Sequence, residues 1–160
     1  MQTVTIVCVG KCKEDYWRAA CAEYAKRLKA FCHFDIVEVE EERCPDNPSK
    51  AQIDVVLTKE GERILKALPT RAYPIGLSIE GKVVSSEQLS SLLGELALDG
   101  DSQVAFLIGG SFGLSQQVKT VCRNRISMSA MTFPHQLARV MLCEQIYRAY
   151  QIASGGKYHK

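Results

Sequence analysis

Residues 104–117, VAFLIGGSFGLSQQ, contain the spacing with the clearest chemical potential in the chain. An apolar run leads into Gly109 and Gly110, and Gly113 follows three positions later. Glycines at a strand-to-helix turn allow a ligand to approach the main chain closely. The alternative is a tight turn that needs glycine only for its φ angle, and this loop alone does not decide between the two.

The loop lacks the residues that hold the phosphates of a nucleotide. A P-loop places a lysine and a hydroxyl residue at the start of its helix, but Leu114 and Ser115 follow Gly113 here. A dinucleotide fingerprint follows the first strand, whereas this loop follows the fourth predicted strand. The loop therefore favours a ligand held by main-chain groups and apolar contacts, such as an adenosine with a thioether or sulfonium.

Hydrophobic periodicity predicts strands and helices in alternation. Strands are predicted at residues 3–9, 34–40, 72–79 and 103–108, with a short extended segment at 126–131. Helices are predicted at 14–31, 50–68, 85–98, 115–123 and 135–153, with a loop at 41–49, a turn at 80–82 and a tail from 154. This alternation predicts an α/β fold, a parallel sheet flanked by helices, in a single domain over residues 1–160. Pro74 indicates that the third strand starts late or lies near a sheet edge.

The composition fits a folded cytoplasmic protein. The chain is 46% hydrophobic and 24% charged, which excludes a disordered chain, and no apolar run reaches the length of a membrane span. The start of the chain lacks the basic region of a signal peptide. A net charge of +2 neither requires nor excludes an RNA partner. The seven cysteines form no CxxC pair, and Cys8, Cys12 and His33 are poorly spaced as ligands, so we expect reduced thiols and no metal.

The last predicted helix carries more apolar residues than one face of a sheet covers: Leu137, Val140, Met141, Leu142, Ile146, Tyr147, Ala149, Tyr150 and Ile152. We expect a second copy of the chain to cover the excess, with Arg139 near the seam. Glu144 and Arg148 are spaced to pair on this helix. His135, which follows Pro134 at the helix start, is expected to pack locally.

Several motifs fall in the order and spacing of a known family. They are LSIEGK at 77–82, LIGG at 107–110 with GLS at 113–115, TFPH at 132–135, YRA at 147–149 and YHK at 158–160. With them the chain resembles the ribosomal RNA large subunit methyltransferase H family of the SPOUT superfamily of α/β-knot methyltransferases. The resemblance covers essentially the whole chain.

The resemblance implies a parallel sheet whose C-terminal part forms a deep trefoil knot, a rare exception to unknotted topology. It also implies that the knot binds S-adenosyl-L-methionine as methyl donor, without a metal. The implied donor-binding residues are Leu77, Gly109, Gly110, Met128, Ser129, Ala130, Met131, Thr132 and Phe133.

The resemblance further implies methylation of N3 of a pseudouridine in a stem-loop of 23S rRNA on the assembled ribosome. Members are homodimers in which the tail of one subunit completes the site of the other, which implies catalytic roles for Arg148, Tyr158 and His159. Histidine is the side chain whose chemistry best suits a base near neutral pH, so His159 is the candidate base. Arg148 could stabilise charge on the base oxygens, and Tyr158 could stack on the base or hydrogen-bond to it.

Three other functions are compatible with the sequence. The first is a related knotted methyltransferase that acts on tRNA, and the second is a non-catalytic ribosome-binding or assembly factor that kept the fold. The third is a flavodoxin-like nucleotide binder, which would need a phosphate loop after the first strand. Residues 10–15, GKCKED, offer little for such a loop.

Overall fold

A computed structural model describes all residues, 1–160, and contains a five-stranded parallel sheet of order β2-β1-β4-β3-β5. The strands are β1 (Thr3–Val9), β2 (His33–Val39), β3 (Tyr73–Val83), β4 (Gln103–Ile108) and β5 (Asn124–Ser127). The helices are α1 (Asp15–Leu28), α2 (Lys50–Ala67), α3 (Ser86–Leu98), α4 (Gln116–Val121) and α5 (His135–Ala153). The predicted parallel α/β fold is confirmed.

The sheet has a hydrophobic core on each face. Successive residues of β1 point to opposite faces, so Val4 and Ile6 join one core while Val7 and Val9 join the other. The helices α1, α3 and α5 cover the first face, and α2 and α4 cover the second. Because both faces are covered, β1 and β4 are nearly continuous apolar runs.

One prediction about β3 was wrong. Residues 80–82 do not turn the chain, since β3 continues to Val83. Leu77 and Lys82 both pair with Ile126, so the residues between them bulge out of the strand. The prediction from Pro74 agrees with the structure, since Pro74 is the second residue of β3 and β3 lies one strand in from the edge. The pairing of β3 with β5 begins only at Ile75, so the missing N–H of Pro74 removes no hydrogen bond from that ladder.

Side-chain caps set the starts of three helices. Ser49 and Ser85 each form a capping box at the start of α2 and α3. Ser115 caps α4, because its hydroxyl accepts a hydrogen bond from the Val118 N–H at 3.2 Å. The extended segment predicted at 126–131 is a shorter strand that ends at Ser127.

Helix α5 packs between α1 and α3 of its own chain, which takes up much of its apolar width. Phe31, just after α1, stacks on Tyr150 with ring centroids 6.0 Å apart and meets Tyr147 edge-on at the same distance. The width of the apolar stripe therefore does not by itself require a second copy of the chain. None of the helices combines the length and hydropathy that a membrane span needs.

The expected position of Arg139 near a surface seam was wrong. Its side chain is buried between α5 and the end of β1. The guanidinium donates hydrogen bonds to the Glu38 carboxylate at 2.6 Å and to the Gly10 carbonyl at 2.9 Å, and it lies 3.2 Å from the Cys12 sulfur. These bonds fasten the first turns of α5 to the carboxyl end of β1.

Replacing Arg139 with leucine should lower the free energy of unfolding by about 3 kcal/mol, since Glu38 and the Gly10 carbonyl lose their donor. Urea denaturation followed by circular dichroism measures this change. The matched control is Arg43→Leu, because Arg43 is exposed and forms no salt bridge, so its loss should leave the midpoint unchanged. Equal midpoints for both variants would contradict a structural role for Arg139.

Candidate functional site

A cavity of about 430 Å³ opens at the carboxyl edge of β3, β4 and β5. This is the edge at which parallel α/β sheets bind their ligands. Three segments form most of its wall: residues 77–80, 108–114 and 127–135, of which Ala130 alone does not line it. The volume is ample for a nucleoside-sized ligand.

The glycine loop closes on itself through main-chain contact. Gly110 and Gly113 form an isolated antiparallel bridge, in which the Gly113 N–H donates to the Gly110 carbonyl at 3.1 Å. A Cβ atom on Gly109 would collide with the Gly113 carbonyl, and Gly113 has a φ of +84°. Both explanations of the glycines therefore hold: the turn requires them, and the same turn forms a wall of the cavity.

The bulge in β3 forms the second wall. Gly81 lies so close to β5 that a Cβ atom there would be 2.8 Å from the Ile126 carbonyl carbon. This approach turns residues 78–80 toward the cavity. The hydroxyl of Ser78 is buried there without a hydrogen-bond partner, so a polar group of a ligand would satisfy it. Lys119 pairs with Glu80 and holds the pKa of that carboxyl below its usual value.

The third wall is the segment between β5 and α5. The Ser127 hydroxyl donates to the Ser129 carbonyl at 2.8 Å, and the Ser129 hydroxyl accepts from the Met131 N–H at 3.0 Å. Of the nine residues singled out in the sequence as donor-binding, eight line the cavity: Leu77, Gly109, Gly110, Met128, Ser129, Met131, Thr132 and Phe133. Ala130 is exposed and does not line it.

His135 also lines the cavity, although the sequence predicted only local packing at a helix start. The ring is half-buried beside the end of β1, near Gly10. Burial lowers its pKa and favours the neutral imidazole. The position of His135 directly after Pro134 in the TFPH motif was the available signal. The other lining residues that sequence reasoning did not assign to the site include Ser78, Ile79, Glu80, Ser111, Phe112 and Lys119.

The three residues predicted as catalytic come together in a second cluster. The Arg148 guanidinium donates to Glu144 at 2.6 Å and lies 4.7 Å from the centre of the Tyr158 ring. Tyr158 donates its hydroxyl to Glu144 at 3.2 Å. Burial raises the pKa of Tyr158 to about 12, so its hydroxyl stays protonated at neutral pH.

The ring of His159 contacts one basic and one acidic side chain. Its Nδ1 lies 3.1 Å from an Arg148 nitrogen, and its Nε2 lies 2.7 Å from a Glu87 oxygen. Because arginine can only donate, Nδ1 is the acceptor, and the proton lies on Nε2 and is donated to Glu87. Both ring nitrogens are therefore engaged, and a role as base requires one of these contacts to open.

The tail cluster and the cavity of one chain lie at opposite ends of α5. His135, at the cavity, is the first residue of the helix, and Arg148 lies thirteen positions later. At a rise of about 1.5 Å per residue, the two lie about 20 Å apart along the helix axis. A ligand in the cavity therefore does not reach Arg148, Tyr158 or His159 of the same chain.

A parallel sheet with a loop-built cavity at its carboxyl edge is the arrangement that open α/β proteins use to bind small ligands. The profile of the family described as predicted SPOUT methyltransferase matches residues 1–159. The chain belongs to this SPOUT methyltransferase family.

Individual relatives agree with this assignment. The chain is 49% identical over 157 residues to ribosomal RNA large subunit methyltransferase H of Clostridium novyi (strain NT), covering 98% of this chain and 99% of that one. It is 46% identical, with the same coverage, to the protein of that name from Clostridium kluyveri (strain ATCC 8527). The crystal structure of a probable methyltransferase from Bordetella pertussis Tohama I matches with a TM-score of 0.52 at 14% identity, over 93% of this chain and 96% of that one. This last likeness shows the fold.

Replacing Gly109 with alanine should lower the free energy of unfolding by about 3 kcal/mol, because the methyl group meets the Gly113 main chain, which cannot yield as a side chain would. Thermal and urea unfolding measure the change. The matched control is Gly94→Ala, which has open space around it within α3 and should gain about 0.5–1 kcal/mol. A stable Gly109→Ala protein would show that the loop is not closed in this way.

Proposed function

We propose that this chain is a methyltransferase that uses S-adenosyl-L-methionine to methylate N3 of a pseudouridine in 23S rRNA, on the assembled ribosome in the cytoplasm. The observation that carries the proposal is the cavity at the carboxyl edge, walled by three main-chain bends in a chain of the SPOUT methyltransferase family. The curated relatives named above as ribosomal RNA large subunit methyltransferase H support the choice of substrate.

The lining of the cavity fits the proposed methyl donor. Main-chain groups of the glycine loop and the apolar side chains of Leu77, Met128 and Phe133 suit an adenosine and a thioether stem. The buried hydroxyl of Ser78 is free to bond a polar group of the ligand. The one lining lysine, Lys119, is already paired with Glu80, so the cavity offers no cluster of positive charge for phosphates. When bound, the donor supplies a methyl group on a positively charged sulfur.

The tail cluster supplies groups suited to the acceptor base. The imide N3 carries a proton at neutral pH, so its reaction with a methyl group requires a base or a strongly stabilised anion. His159 is the proposed base once its contact with Arg148 opens and frees Nδ1. Arg148 would then stabilise the negative charge that develops on the base oxygens. Tyr158 stays protonated and is assigned to stacking or hydrogen bonding, not to proton removal.

The separation within one chain supports a homodimer. The cavity and the tail cluster of one copy lie about 20 Å apart along α5, so a complete site needs the tail of a second copy. The rim of the cavity carries apolar side chains with exposed fractions of 53% for Ile79 and 72% for Met131. Apolar groups at a cavity mouth suit coverage by a second copy of the chain. The trefoil knot expected from the resemblance is part of the same proposal.

Loss of this chain should remove one methyl group from 23S rRNA. Mass spectrometry of rRNA fragments from cells with and without it tests this, and transfer of labelled methyl groups to whole ribosomes or to tRNA identifies the substrate. Calorimetry should show binding of S-adenosyl-L-methionine to the isolated protein. Methylation of tRNA alone would overturn the rRNA assignment, and failure to bind the donor would favour a non-catalytic ribosome-binding factor.

Mixed dimers test whether one copy completes the site of the other. Thr132→Trp blocks the cavity from an exposed wall position, and His159→Ala removes the proposed base, so each variant alone should be inactive. Because each mixed dimer contains one intact composite site, equal mixing with subunit exchange should restore about a quarter of wild-type activity. Activity that stays absent in exchanged mixtures would place cavity and base in the same chain.

A further inference from the structure

A second cavity, of about 460 Å³, lies on the other side of the glycine loop from the first. We name it the Glu60 cavity. Its walls are Lys13, residues 41–45 of the loop before α2, Val56, Glu60, Ser111 and Phe112. Ser111 and Phe112 line both cavities, so the two share a wall. The proposed methyl transfer assigns no role to this second cavity.

Glu60 is a buried acid without a cation. Its side chain lies on α2 against Gly110, and the residue is 3% exposed. One carboxylate oxygen, Oε2, accepts a hydrogen bond from the Glu42 main-chain N–H at 3.0 Å. The other oxygen, Oε1, is buried and has no hydrogen-bond partner. An unpaired buried carboxylate oxygen is costly, and a ligand that donates a hydrogen bond would remove that cost.

The basic residues near Glu60 form no ion pair with it. Arg63 and Lys59 both pair with Glu42, at 2.5 Å and 3.5 Å. Burial raises the pKa of the Glu60 carboxyl, which fits the lack of a partner cation. Glu41, also in the wall, forms no ion pair and adds negative charge to the same space.

Two basic residues in the wall of the Glu60 cavity have no acidic partner within the chain. Lys13 and Arg43 are exposed, line the Glu60 cavity and form no salt bridge within the chain. The ring of Phe112 is exposed to 38% at the wall shared with the first cavity. The cavity is therefore lined by a buried acceptor, an aromatic ring and two unpaired cations.

We propose that the Glu60 cavity binds a nucleotide of the RNA substrate through an N–H of its base, which donates to Glu60 Oε1. The base stacks on Phe112, and its phosphate lies at Lys13 and Arg43. This combination matches how proteins hold unpaired nucleotides, by stacking, by hydrogen bonds to base edges and by cations at the phosphate. The shared wall places this nucleotide beside the methyl-donor cavity. The inference relies on the proposed function only for the choice of RNA as substrate.

Nucleotide binding to the full-length protein tests the proposal directly, with saturation-transfer NMR as the measurement. Uridine 5′-monophosphate carries the N3–H donor, whereas 3-methyluridine 5′-monophosphate lacks it and should bind about tenfold more weakly. Equal binding of the two probes at the Phe112 ring would overturn the assignment of Glu60 as the acceptor.

The variant Glu60→Gln sharpens the test. Its amide oxygen must remain on the Glu42 N–H, so the amide NH2 faces the cavity and opposes a base N–H. Binding of uridine 5′-monophosphate should weaken about tenfold, and the difference between the two probes should disappear. The matched control is Glu62→Gln, an exposed neighbour on α2, which should bind both probes as the wild type does.

Two further measurements separate this proposal from other outcomes. Lys13→Ala and Arg43→Ala are surface changes that should weaken the binding of both probes and reduce its salt dependence.

Calorimetry with S-adenosyl-L-methionine should give unchanged affinity for Glu60→Gln, while the KM for ribosomes rises. Loss of donor affinity in Glu60→Gln would show that Glu60 merely supports the glycine loop, and would overturn the proposal. If the wild type does not methylate ribosomes, the NMR measurement of nucleotide binding still decides whether the Glu60 cavity is a nucleotide-binding site.

Discussion

The site depends on main chain packed directly against main chain at the carboxyl edge of the sheet. Gly109 meets the Gly113 carbonyl, and Gly81 lies against β5 at Ile126, in both cases too closely for any side chain. These approaches bend β3 and the loop after β4 around one space, and the segment after β5 closes it. A wall of main-chain groups offers hydrogen bonds in fixed directions with little charge. The one lysine in the wall, Lys119, is paired with Glu80, and this lack of a free lysine separates the cavity from a P-loop.

Buried polar groups tie the rest of the molecule to this edge. Arg139 fastens the start of α5 to the end of β1, and α5 in turn carries His135 to the cavity and Arg148 to its far end. Glu60 lies against the glycine loop at Gly110 with one carboxylate oxygen unpaired. Burying each of these charged groups costs free energy. Glu60 lines a proposed ligand site, and Arg139 lies on α5, the helix that links the methyl-donor cavity to the tail cluster.

Some parts of the fold followed from local pattern, and others did not. The apolar run of β4 and the serine caps of α2 and α3 mark their elements in sequence, because burial on both faces and capping each require particular residue types. The continuation of β3 past Glu80 did not follow, since a bulge depends on the strand beside it. The surplus of apolar residues on α5 was real, but α1 and α3 of the same chain cover much of it.

The sequence by itself determined the alternation of strands and helices, the glycine loop and the motifs that assign the family, because these depend on residue types at short spacing. It also named eight residues that line the cavity. Only the tertiary structure placed His135 in a cavity wall, buried Arg139, left Glu60 without a cation and separated the tail cluster from the cavity of its own chain. These facts depend on which elements pack together over long sequence separations, and no local pattern encodes such distances.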